Sequence, residues 1–401
     1  MNILQINCVY GVGSTGNITR DLHQAFLARG HRSTVLYGRG APCADPDVTR
    51  ICPNWYGKAQ GLAARIAGLP YGRCIWSTRQ ILDQIDQIGP DVVHLQCLNG
   101  HFCNLYRLLE GLKRAAVPTV LTLHAEFPYT GGCSHAGSCI GWKGRCGVCV
   151  HPSPETTCLF GNRTAAGWRR LRAIYEGWSR LTVVGCSRWI ARRAAASSAL
   201  AGVPVTVIPN GVDTTVFRPR RQEAAGLRKA LSIPPKARVV LFAAPALSRE
   251  KGFDRFLELA RSCQGLPLRF LAAGGRCASG PDNLTVLGHI SRREQMAALY
   301  TAADALALCS RQENFPTVCL EAAACGTPAV GFSVGGVAET ILPGLGAVVP
   351  PGDISAMQRA LLALPPPLPT AVERARTLWD CQRMAGDYLA LYRTVTNKEA
   401  L

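Results

Sequence analysis

The chain has 401 residues, of which 48% are apolar and 17% charged, an ordinary globular balance with material for two hydrophobic cores. Its formal charge is +18, and its apolar runs fall far short of the roughly 20 residues that a spanning helix needs, so an integral membrane protein is not expected. The opening stretch, Met1-Asn2-Ile3-Leu4-Gln5-Ile6-Asn7, has no basic n-region and reads as a strand rather than a signal peptide, so a cytoplasmic protein is the expectation.

The first half alternates strand and helix. Residues 2–9 form a short apolar strand, followed by a glycine-rich turn and a helix over 17–29 with Ile18, Leu22, Ala25 and Phe26 on one face. Strands are predicted at 33–37, 91–95, 119–124, 182–185 and 205–208, two of them introduced by Pro90 and Pro118. Such alternation implies a doubly wound parallel sheet. Residues 209–219, with Pro209-Asn210-Gly211-Val212-Asp213 and Phe217-Arg218-Pro219, read as a linker. The pattern then restarts. Strands fall at 238–244, 268–273, 284–287, 305–308, 329–331 and 346–349, with helices at 253–262, 293–302 and 318–325. A last helical stretch covers 371–396. Open parallel sheets take ligands beyond the carboxyl ends of their strands, so two such sheets imply a cleft between them and chemistry in the loops that follow strands.

Gly11-Val12-Gly13-Ser14-Thr15-Gly16 follows a strand and precedes a helix, where backbone N–H groups can meet a phosphate or a sugar. A nicotinamide site would want an acid about 20 positions on, and Tyr37-Gly38-Arg39-Gly40 offers none. The loop is read as substrate-facing, with a dinucleotide loop and a structural turn as alternatives. His124 ends a strand in Thr122-Leu123-His124-Ala125-Glu126, and His94 ends another. Either could bond a sugar hydroxyl or be a satisfied core histidine; function is expected of His124.

Eight arginines between 163 and 193 face the single acid Glu176, with Trp168, Tyr175, Trp178 and Trp189 interleaved. The segment suits an anionic membrane surface or diphosphate-linked lipids, the alternatives being a solvated helix face and nucleic acid; no nucleic-acid partner is expected. Of 18 cysteines, most sit singly in apolar stretches as small buried groups. Cys133, Cys139, Cys146 and Cys149 differ. Their C-x5-C-x6-C-x2-C spacing, with His135 and His151 nearby, fits structural zinc, free or redox thiols, or an iron–sulfur cluster.

In the second half, Ser248-Arg249-Glu250-Lys251-Gly252 follows a strand and precedes a helix, so Arg249 and Lys251 can neutralise a diphosphate at a helix N-terminus. A solvated turn is the alternative. Glu313 lies in a loop after a strand, and Glu321 about one turn into the next helix. A carboxylate accepts bonds from vicinal hydroxyls, and the Thr317 and Val318 N–H groups can bind phosphate oxygens.

With these residues in view, Glu313-x7-Glu321, Cys325-Gly326-Thr327-Pro328 after it, Lys251-Gly252 before it and Pro209-Asn210-Gly211-Val212-Asp213 resemble glycosyltransferase family 4. The resemblance covers nearly the whole chain. It implies the α/β GT-B fold, two doubly wound Rossmann-like domains facing across a cleft. Residues 1–208 would form the acceptor domain, with a Cys-rich insertion at 131–158, and 220–375 the donor domain. The helix at 376–401 would pack back on the first domain. It also implies a retaining transferase with no cofactor for catalysis, leaving zinc as a structural metal only. Glu313 and His124 would be catalytic. Gly13, Arg249, Lys251, Asn314, Phe315, Thr317, Val318 and Glu321 would bind the donor, with Glu321 on its ribose, Glu313 on its sugar and Lys251 on its diphosphate. Where the family usually carries an Arg five residues before the Lys, this chain has Ala246. The block from Thr122 to Cys149 resembles the colanic acid subgroup. That implies transfer of a hexosyl or deoxyhexosyl, such as a fucosyl, group from a GDP or UDP sugar to a lipid-linked glycan in exopolysaccharide assembly, at the inner face of the cytoplasmic membrane. A catalytically silent zinc-stabilised scaffold and an epimerase- or phosphorylase-like enzyme are the rival readings.

Overall fold

A computed structural model describes residues 1–147, 149, 163–277 and 280–396. The chain divides into two compact units, Met1–Pro209 together with the chain from Met384 onward, and Asn210–Arg383.

The first unit carries strands β1 (Asn2–Asn7), β2 (Arg32–Tyr37), β3 (Val48–Arg50), β4 (Val92–Leu95), β5 (Thr119–Leu123), β6 (Leu181–Gly185) and β7 (Val205–Val207). They form one parallel sheet in the order β3-β2-β1-β4-β5-β6-β7. The second unit carries β8 (Arg238–Ala243), β9 (Leu268–Ala273), β10 (Leu284–Gly288), β11 (Ala305–Leu308), β12 (Ala329–Phe332) and β13 (Gly346–Val349). Its parallel order is β10-β9-β8-β11-β12-β13. In each sheet the strand order reverses once, between β1 and β4 and between β8 and β11. Those switch points are where such sheets leave a crevice at their carboxyl edge.

The central strands read as continuous apolar runs because helices cover both faces. Val239 to Ala243 in β8 are all buried. Phe242, Phe256, Phe270, Val330, Phe332 and Met357 pack in one core. Phe256 and Phe270 are wholly buried with rings 5.5 Å apart, each contributing roughly 1.5–3 kcal/mol. Helix starts follow their caps: Asn104 accepts from the Arg107 N–H and Ser187 from the Ile190 N–H.

Two expectations change. The stretch 209–219, read as a linker, is packed: Asn210, Val212 and Phe217 are buried, and Val212 pairs with Asp380. The tail read as one helix is two, Pro369–Leu378 and Cys381–Thr396. Between them the Trp379 carbonyl accepts from Val212 N–H at 2.8 Å and the Cys381 N–H donates to the Val212 carbonyl at 2.9 Å. Those backbone groups serve a neighbouring strand-like pairing and cannot also continue a helix. Farther on, Tyr388 and Tyr392 bond Thr122 and His94 inside the first unit. Among the described residues no helix is long and apolar enough to cross a membrane.

Candidate functional site

In the second unit, the loops after β8 and β11 stand on adjacent strands at the switch point. Lys251 Nζ reaches Glu313 Oε1 at 2.8 Å, and Ser310 Oγ donates to the same oxygen at 2.8 Å. Both bonds fall on Oε1. The pair is part-buried, with side-chain exposures of 33% for Lys251 and 12% for Glu313, so solvent screens it incompletely.

Two glycines make this approach possible. Gly252 has φ +77°, and a Cβ there would sit 1.8 Å from the Cys309 carbonyl oxygen. Gly335 has φ +57°, a Cβ would sit 1.7 Å from the Glu313 carbonyl oxygen, and the Gly336 N–H donates to that oxygen at 3.1 Å. Backbone therefore presses on Glu313 from a third loop, which only glycine allows.

Glu321 lies on the helix Thr317–Ala324. The Tyr300 hydroxyl donates to its Oε2 at 2.8 Å. Tyr300 is fully buried, and burial followed by the neighbouring Glu321 charge raises its pKa, so it stays a donor. The helix opens on Pro316, which supplies no side-chain cap. The Thr317 and Val318 N–H groups thus belong to the first-turn donors that seek an external acceptor. Asn314 and Phe315 are buried, so their side chains shape the loop from within the unit.

Arg249 is placed apart. Its side chain is 84% exposed, and among the described residues it pairs only with Asp254, at 3.8 Å. No contact among the described residues joins it to Lys251 or Glu313. Sequence reasoning missed Arg311, which binds both Asp254 oxygens at 2.7 Å and also reaches the Arg249 carbonyl. These bonds hold the Asp254 carboxyl below the usual carboxylate range. The Arg311 N–H donates to the Glu250 carbonyl at 3.1 Å, tying the two loops together. Its position three residues past β11, opposite the basic turn, was the available signal.

In the first unit, the helix Gly13–Ala28 begins inside the glycine loop, where Gly11 N–H donates to the Gly16 carbonyl at 2.9 Å. Gly13 is exposed with φ +66° and open space where a Cβ would stand. His124 Nε2 bonds Gln96 Oε1 at 2.8 Å, so Gln96, beyond the end of β4, orients the ring. His94 is fully buried, bonding Thr122 and Tyr392 at 2.7 Å each, which makes it a satisfied core histidine. Burial lowers the pKa of His124 to about 4 and that of His94 to about 3, the charge of His124 also acting on His94, so both are neutral at ordinary pH.

The arginine segment is less exposed in character than its sequence implies. Trp168, Tyr175 and Trp178 are core residues, and Arg193 is held between the rings of Trp142 and Trp189 while pairing with buried Glu126 at 2.6 Å. Cys133, Cys139, Cys146 and Cys149 are each part-exposed. Burial first, then the Cys139 and Cys149 charges, raises the Cys146 thiol to about 11. Among the described residues no three His, Cys, Asp or Glu side chains gather as a metal would require. His151, the nearby histidine of the cluster, lies outside the described residues.

Comparison with known proteins follows the same division. The family described as Glycosyltransferase Family 4 matches residues 15–216, and Glycosyl transferases group 1 matches residues 224–364. D-inositol 3-phosphate glycosyltransferase from Mycobacterium sp. (strain JLS) is 36% identical over 188 residues, and that from Mycolicibacterium smegmatis 34% over 187, covering 43% of this chain and 42% of each relative. The chain thus spans less than half the length of the curated relatives it matches. Sucrose-phosphate synthase from Thermosynechococcus elongatus superposes with TM-score 0.67 and 18% identity over 98% of this chain and 99% of that one. Anabaena Alr3699/HepE, solved with UDP, superposes with TM-score 0.65 and 17% identity over 98% and 100%. These likenesses show the GT-B fold. With its first half matched to one family and its second to the companion group, the chain belongs to glycosyltransferase family 4.

Proposed function

We propose that this protein transfers a hexosyl or deoxyhexosyl group, with retention, from a nucleotide-diphosphate sugar of the UDP or GDP type to a hydroxyl of a lipid-linked glycan in exopolysaccharide assembly. The carrying observation is the Lys251–Glu313 pair on adjacent switch-point loops, beside an uncapped helix that bears Glu321. A cation, two carboxylates and first-turn N–H groups are the complement of a diphosphate flanked by two polyhydroxylated rings. The bond from the anomeric carbon to the diphosphate oxygen breaks. A bond to the acceptor oxygen forms, and the acceptor's proton leaves with the diphosphate. Lys251 and the helix start stabilise the departing charge. Glu321 holds the ribose and Glu313 the sugar, while in the first unit neutral His124 offers a hydrogen bond to a substrate hydroxyl.

Thermal-shift screening with UDP-, GDP- and ADP-sugars tests this reading. A bound donor raises the melting temperature with the logarithm of its concentration. One nucleotide series should stabilise; no response from any of the three would count against a donor site. Zinc on Cys133, Cys139, Cys146 and Cys149 is a separate proposal, because it needs the thiols to close on one point. Elemental analysis finding less than about half an equivalent of metal would dismiss it.

A further inference from the structure

The helix Asn54–Ala67 is apolar on two opposite sides. Gly57 and Ala64 are buried inward, whereas Trp55, Leu62 and Ile66 are 70%, 60% and 44% exposed. At about 100° per residue these three fall within about 40° of one another, directly opposite the buried pair. Lys58 and Arg65 run along one edge of the exposed stripe. The helix Ile75–Ile88 adds Ile75 and Trp76, both half exposed at its start. The Trp76 ring lies 5.4 Å from that of Tyr56, and Tyr56 lies 6.1 Å from Trp55, so the two helices share one continuous patch. Residues 51–82 contain Lys58, Arg65, Arg73 and Arg79, all exposed, and no Asp or Glu.

We propose that this patch docks the protein on an anionic phospholipid membrane. Trp55, Leu62, Ile66, Ile75 and Trp76 enter the boundary between headgroups and acyl chains, and the four cations face lipid phosphates. An apolar stripe bordered by cations, with tryptophan at its margin, is the pattern of a helix lying in that interface. A charge-free stripe would suit a protein partner equally. Lys58, Arg65 and Arg73, with no acid from residue 51 until Asp83, which lies four residues past Arg79 on the second helix, favour the anionic surface. The location differs from residues 163–193, whose Trp168, Tyr175 and Trp178 are in the core. The inference rests on the lipid-linked acceptor for its purpose, and on the patch alone for its place.

The test is vesicle flotation of the full chain with phosphatidylcholine alone and with phosphatidylcholine mixed with phosphatidylglycerol, alongside donor hydrolysis without vesicles. Wild type should float with the anionic vesicles and show a blue shift of tryptophan emission. Trp55→Ser combined with Leu62→Ser should weaken partitioning by more than roughly tenfold. Lys58→Gln and Arg65→Gln should each weaken it roughly fivefold, and Arg169→Gln should leave it unchanged. Hydrolysis should be equal in all variants. The proposal is overturned if wild type does not bind anionic vesicles, if the Trp55/Leu62 variant binds as well as wild type, or if that variant only dissociates a dimer. Vesicle binding as described with no hydrolysis by wild type would sink the transferase reading and leave the docking surface standing.

Discussion

Tyr300→Phe removes one oxygen from a fully buried side chain and with it the 2.8 Å bond to Glu321 Oε2. The ring stays, so packing against Phe217 is kept. A hydrogen bond to a charged group is worth about 1.5–3 kcal/mol. If Glu321 holds the ribose, most of that loss appears in donor affinity, a fall of roughly 10- to 150-fold. The affinity for the free nucleoside diphosphate should fall by the same factor as that for the nucleotide sugar, because the ribose is common to both. Calorimetric titration of each ligand, with the melting temperature as a control, measures this. Unchanged nucleotide affinity beside a lowered melting temperature would refute the reasoning and make Tyr300 a purely structural partner.

Acid stability should follow buried His94 and half-buried His124. Their folded values of about 4 for His124 and about 3 for His94 lie below the ordinary 6.5, so the unfolded chain binds more protons across that window. Stability is therefore full above about pH 6.5 and is lost as pH falls toward 4 and then 3; a flat melting temperature over that range, or no flattening in His124→Gln, would contradict this. Gly335→Ala must clash with the Glu313 carbonyl and strain a positive φ, costing upward of about 2 kcal/mol, whereas Gly177→Ala, at φ +67° with open space, should cost only about 1 kcal/mol in thermal melts. Arg193→Met strands buried Glu126 and should cost about 3–5 kcal/mol by urea denaturation.

Strands with buried runs were legible because period and turn residues agree: β8, β9 and β11 and the helices Phe253–Ser262 and Arg293–Ala302 lie at or within a residue of their expected bounds. Residues 38–90 were not legible. The helix Asn54–Ala67 buries only Gly57 and Ala64, so its large apolar residues mark the solvent face and its periodicity misleads. Lys251, Glu313 and Glu321 were readable from spacing, since each follows a strand. What spacing could not show is who holds whom. Tyr300 and Arg311 act through contacts across 21 and 57 residues of sequence. Within 163–193 the inward turn of Trp168, Tyr175 and Trp178 was not legible for the converse reason: charge density marks a surface, but it does not say which neighbours turn inward.

The central claim is that the Lys251–Glu313 pair belongs to a donor-sugar site. Glu313→Gln keeps the shape and the Ser310 bond while removing the charge, so the fold should survive. Transfer from the nucleotide sugar identified by screening should fall by at least roughly 100-fold, while affinity for the free nucleoside diphosphate stays within about twofold of wild type. Undiminished transfer by a correctly folded Glu313→Gln protein would contradict the account.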